Sequence, residues 1–177
     1  MTKRFERPNF YRAEDYPGLA EVVAQWPAIR EEAMLTLSTL EKQLGDKVGP
    51  SWILPLVPEY EDEPVLGPEV SEAARALAPL TVGLVGKLPY VVAYAFSKLA
   101  PGTKIPEHDH WNPYYTAMLC LQNGGGSHLV VDGERRDFVQ GKVFVFDYTL
   151  PHEVKNEGHE DRLVLLMLVQ RLARAES

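Results

Sequence analysis

Cysteine is nearly absent. The one thiol in 177 residues, Cys120, cannot form an internal disulfide, which points to a reducing, cytoplasmic setting. The opening Met1-Thr2-Lys3-Arg4-Phe5-Glu6 leads into no apolar signal core, in keeping with that expectation. A basic surplus is also missing: 18 Lys and Arg face 25 Asp and Glu, for a net charge of -7. Nucleic acid, which needs a clustered basic face, is therefore not an expected partner. Long apolar runs are lacking too. The stretch from Leu163 to Val169 is among the longest and falls far short of the roughly 20 residues that cross a bilayer, so no membrane insertion is expected. No internal repeat is present. What remains is an ordinary globular composition, 45% hydrophobic and 24% charged. It suits a single domain over 1–177 that is large enough to bury a core without disulfide or metal staples; the composition does not fix its oligomeric state.

The pattern changes once along the chain. Ile29, Ala33, Leu37, Leu40 and Leu44 recur at helical spacing, and Pro27 sits where a first turn tolerates it. This predicts one long helix between about Tyr16 and Leu44, with room for a short one before it. Residues 45 to 68 hold many prolines and glycines and the acidic run Glu59 to Glu63, and read as an extended surface loop. Pro68 opens a shorter helix through Val70, Ala73, Ala74 and Leu77. After Pro89 the period becomes that of strands, predicted at 90–99, 114–122, 128–132, 136–140, 142–147, 152–155 and 162–169. Asp132-Gly133 marks a tight hairpin. A helical layer and loop (1–88) followed by seven short strands (89–170) implies a mostly β fold. The expected form is a double-stranded β-helix, a jelly-roll or cupin-like barrel, with N-terminal helices packed on one sheet.

Within the strand half, three of the five histidines fall in two places, His108-Asp109-His110 and His152. Neutral imidazoles on neighbouring strands can hold a divalent transition metal. His108 and His110, two apart, would share a face of a regular strand. A lone histidine is usually structural, and His128 and His159 are left as such. Gly102, His108-x-His110 and His152-x-x-x-Asn156 loosely follow the two cupin motifs. However, the cupin glutamate is missing, and Asp147-Tyr148-Thr149 stands where Pro-x-Gly would be.

A fuller match exists. Phe96-Ser97-Lys98-Leu99-Ala100-Pro101-Gly102-Thr103 followed by His108, Gly141 to Asp147 followed by His152-Glu153-Val154, and then Arg162 opening Leu163-Val164-Leu165-Leu166 occur in order. With Trp26-Pro27-Ala28-Ile29-Arg30-Glu31-Glu32 ahead of them, they resemble the aspartyl/asparaginyl β-hydroxylase family of iron(II)- and 2-oxoglutarate-dependent oxygenases. The resemblance implies that His108 and His152 ligate iron(II) and that Arg162 and Ser97 hold the far carboxylate of 2-oxoglutarate. It also implies O2 as co-reactant and hydroxylation of an amino acid, an aspartyl or asparaginyl residue, or a related small or acyl substrate. The third metal position stays open between His110, Asp109 and water. The arginine and histidine that the family commonly places near residues 112–121 are absent, which leaves either Tyr114, Tyr115 or Thr116 to help hold the cosubstrate or a pocket whose ligand has changed. Two other classes share these residues: a cupin-like metal enzyme without 2-oxoglutarate, using His108, His110 and His152, and a non-catalytic barrel that binds a small ligand. Trp52, Tyr60, Trp111 and Tyr148 are candidates for the mouth, and Arg135 and Arg136 for attracting an acidic substrate.

Overall fold

Among the described residues, three of the four α-helices carry a proline in their first turn, where a missing N–H costs nothing. In the computed structural model, which describes residues 7–57 and 66–172, these helices are α2 (Trp26–Leu44), α3 (Pro68–Leu77) and α4 (Pro79–Val85), preceded by α1 (Leu19–Ala24). One face of α2 is buried through Ile29, Ala33, Leu37 and Leu40, the residues whose spacing predicts the helix. The first amides of α4 have no side-chain cap of their own. Glu32 of α2 supplies one, accepting from the amides of Leu80 and Thr81 and from the Thr81 hydroxyl at 2.7–2.9 Å.

The strands are β1 (Phe10–Tyr11), β2 (Ser51–Pro55), β3 (Val91–Leu99), β4 (Lys104–His108), β5 (Tyr115–Gln122), β6 (Ser127–Val131), β7 (Glu134–Asp137), β8 (Val143–Asp147), β9 (His152–Asn156) and β10 (Arg162–Val169). They form a six-stranded sheet in the order β1-β8-β5-β10-β3-β2 and a four-stranded sheet in the order β4-β9-β6-β7. Every pairing is antiparallel. The fold is the expected jelly-roll with helices on one sheet. Side chains alternate across the larger sheet. Tyr94, Phe96, Leu119, Leu165 and Met167 pack under the helices, whereas Ala95, Met118, Val164 and Leu166 face the smaller sheet.

Four expectations are corrected. Residues 45–68 are not a loop throughout: Ser51–Pro55 forms β2 along the edge of β3, with Trp52 and Leu54 buried. Proline survives there because an edge strand can spare a donor. Residues 58–65, with Tyr60 and most of the acidic run, lie outside the described residues, as do 1–6. The short strands β1 and β4 and the helix α4 were not expected; β4 carries Pro106 and is mostly exposed, so it lacks an alternating apolar signal. The strand predicted at 136–140 lies at Glu134–Asp137 instead. Asp132 (φ 45°) and Gly133 (φ 81°) form a two-residue turn, pairing Val131 directly with Glu134.

Candidate functional site

The edge pairing of β4 with β9 sets His108 opposite His152. Each ring is oriented by its own backbone: Nδ1 of His108 lies 2.8 Å from the Pro106 carbonyl and Nδ1 of His152 lies 2.7 Å from the Leu150 carbonyl. A carbonyl only accepts, so Nδ1 carries the proton in these bonds and Nε2 keeps the lone pair a metal requires. Burial pushes the His152 imidazole down to about 4, with His108 and His110 adding to the effect. It is neutral at physiological pH, the form that ligates.

His110 joins them by a different route from the one expected. β4 ends at His108 and its register with β9 shifts between Ile105 and His108, so no regular strand places His108 and His110 on one face. His110 instead sits in the following connection, where its amide donates to the Tyr148 carbonyl at 3.3 Å. The three imidazoles still converge, with one ligand atom from each lying within 4.8 Å of the others, close enough for a single ion to draw together. Asp109 is exposed and contributes no atom to this group.

Arg162 opens β10 and is 1% exposed. Its Nη2 donates to Ser97 Oγ at 2.8 Å, its guanidinium carbon lies 5.3 Å from the centre of the Phe138 ring, and its Nε has no partner. Burial lowers its pKa to about 10, which leaves it charged at neutral pH. An isolated buried cation costs several kcal/mol unless an anion joins it. No acidic side chain among the described residues does so; the one neighbour acting on its charge is the Cys120 thiol, itself pushed up to about 11 by burial.

One cavity collects these groups. Ser97, His108, His110, Tyr148, His152 and Arg162 line it, and Ile53, Ile105, Met118, Val154 and Leu166 complete its apolar wall. Tyr114 and Thr116 are not brought to it. Thr116 is buried on β5 between Phe146 and Leu168 with its hydroxyl unpartnered, and Tyr114 lies just before that strand. Met118, which takes the place on the wall, carried no chemical signal in the sequence. Of the candidate aromatics, Trp52 is buried and donates to Glu41, Tyr148 lines the cavity, and Trp111 is 94% exposed rather than packed. Arg135 and Arg136 lie beside Asp137 and Glu134 on the surface, the ordinary fate of hairpin charges.

The donor set fits a transition metal, and the orphaned Arg162 Nε fits a carboxylate. Residues 23–171 match the family model described as aspartyl/asparaginyl beta-hydroxylase. The ornithine lipid ester-linked acyl 2-hydroxylase of Rhizobium tropici is 26% identical over 170 residues, covering 90% of this chain and 59% of that protein. The chain thus spans less than two thirds of that relative. Partial structural likenesses include the Cupin_2 domain of an XRE family transcriptional regulator from Enterobacter cloacae (14% identity, TM-score 0.46, 70% of this chain and 100% of that one). The Cnp3 cupin domain of Schizosaccharomyces pombe is another (16% identity, TM-score 0.41, 47% and 58%). No helix among the described residues is long and apolar enough to cross a membrane.

Proposed function

Because the chain belongs to the aspartyl/asparaginyl beta-hydroxylase family, we propose that it is an iron(II)- and 2-oxoglutarate-dependent hydroxylase. His108, His110 and His152 would hold the metal, and Arg162 with Ser97 the cosubstrate. The observation that carries this reading is Arg162: a fully buried, charged guanidinium with an open donor, facing the same cavity as the three imidazoles. A metal enzyme with neither an acidic cosubstrate nor an acidic substrate would leave that cation unpaired. When bound, iron(II) with 2-oxoglutarate and O2 supplies the oxidising chemistry, which turns a substrate C–H into C–OH and releases succinate and CO2.

The protein's own contribution is positional. Arg162 offers a planar fork suited to a carboxylate, and the Ser97 hydroxyl, which accepts from Arg162, keeps a proton to donate to the same group. The apolar wall lowers the local dielectric, which strengthens charge interactions inside. The substrate is proposed to be an amino acid, a peptidyl aspartate or asparagine, or a related acid derivative. The acyl substrate named for the Rhizobium tropici relative extends that range to acyl chains. Trp111, which follows His110 in the chain and is open to solvent, is proposed to contact an incoming substrate.

Two measurements test the proposal. Protein purified without chelator should contain or take up iron, and should release succinate on addition of iron(II), 2-oxoglutarate and candidate substrates. Arg162→Met should weaken 2-oxoglutarate binding at least about 30-fold, followed by calorimetry without O2. Activity that survives this substitution would move the protein to the cosubstrate-free class, and a chain that takes up no metal would be a binding module.

A further inference from the structure

His110 follows the last residue of β4, so strand geometry does not aim its ring. The ring lies against a neighbouring aromatic. The rings of His110 and Tyr148 lie 3.7 Å apart and within 10° of parallel, while the His110 amide donates to the Tyr148 carbonyl. The same pair of residues is therefore joined through both backbone and ring. Tyr148 is itself immobilised. It is buried, it stacks at 5.2 Å on His152, and it sits in a turn whose first residue, Asp147, accepts from the amide and hydroxyl of Thr149 and from Arg171 at 2.7–3.0 Å. His108 and His152 each place Nδ1 against a backbone carbonyl, and the His110 ring rests against a flat aromatic surface.

We infer that Tyr148 is the positioning residue for His110, holding its ring parallel so that a loop histidine serves as third metal ligand. This rests on the reading of His110 as a ligand and goes beyond it by assigning the device that makes a loop residue competent. Groups that orient a ligand are commonly worth 10- to 100-fold in metal affinity. The stacking surface is the ring and not its hydroxyl, so phenylalanine should replace tyrosine at this position and an aliphatic residue should not.

The test is a titration of the metal-free full chain with cobalt(II), followed by visible absorption, which reports both affinity and coordination. Tyr148→Phe should match the parent. Tyr148→Leu should bind cobalt about tenfold more weakly and shift its absorption toward that of His110→Ala. Tyr148→Leu added to His110→Ala should cost clearly less than it does in the parent, because only its contact with His152 remains to be lost. An equal loss in that background, or no loss from Tyr148→Leu alone, would overturn the inference. If Tyr148→Leu does not fold, Tyr148→Met fills the space without a flat ring and carries the same expectations. Unchanged cobalt binding in His110→Ala would sink both the inference and the third-ligand reading; succinate release and calorimetry of Arg162→Met would still judge the hydroxylase proposal separately.

Discussion

The two faces of the six-stranded sheet are made by alternate residues of the same strands, yet they differ in kind. Along β3 the helix-covered face carries Tyr94 and Phe96, and the face toward the second sheet carries Ala93, Ala95 and Ser97. Along β10, Leu163, Leu165 and Met167 pack under the helices while Arg162 and Leu166 line the cavity. The outer face is filled with large apolar side chains. The inner face has small ones on β3, which leave room for a cavity, and it holds an orphaned polar atom in Arg162 Nε. A period of two lets a single strand divide its labour, so that stability is concentrated on one side and chemistry on the other.

Substitutions on the two faces should therefore give opposite results. Phe96→Ala removes a fully buried ring from the outer face and should cost about 3–5 kcal/mol in urea unfolding, while the protein that remains folded keeps its 2-oxoglutarate affinity. Arg162→Met on the inner face should leave the ligand-free protein as stable as the parent, or more stable by about 1–4 kcal/mol, because it removes an uncompensated buried charge. The same change should weaken 2-oxoglutarate binding by at least about 2 kcal/mol, on the order of 30-fold. If Arg162→Met instead unfolds the protein, the division between the faces fails.

Acid should affect the inner face selectively. His152 has a folded-state pKa of about 4, below its ordinary 6.5, so between these values the unfolded chain binds the additional proton. Stability of the chelator-treated protein should then fall as pH drops from 6.5 to 4, by at most about 3 kcal/mol from this residue. His152→Gln should flatten that slope, and an unchanged slope would assign the acid sensitivity elsewhere. The smallest effect belongs to the mouth. Trp111→Ala should change stability by no more than about 0.5 kcal/mol, since the side chain is 94% exposed. It should raise KM for the substrate; an unchanged KM would remove Trp111 from substrate contact.

How far the sequence disclosed all this varied with the physics of each position. Ser97 and Arg162 sit on the long paired strands β3 and β10, where register converts spacing into proximity, whereas His108 and His152 meet across the short, irregular pairing of β4 with β9 and are legible through their sequence motifs. For His110 the strand reasoning does not hold: it lies in the connection after β4, in contact with Tyr148, and reaches the cluster without strand periodicity. β2 was hidden by its neighbours, because Pro50 and Pro55 read as loop punctuation although Trp52 and Leu54 alternate as an edge strand does. Tyr114 and Thr116 were proposed to substitute for missing family residues, and nothing local could show that Met118, on the same strand as Thr116, takes the wall. Side-chain proximity across a barrel is a tertiary fact.

β10 is hydrogen-bonded along its length to β3 on one side and β5 on the other. Arg162 therefore begins the strand that must be the last to open, whereas residues 109–114, which include His110 and Trp111, belong to no strand. Local opening is therefore expected among residues 109–114 before it reaches Arg162, which keeps the charged end of the cavity fixed while the rim moves.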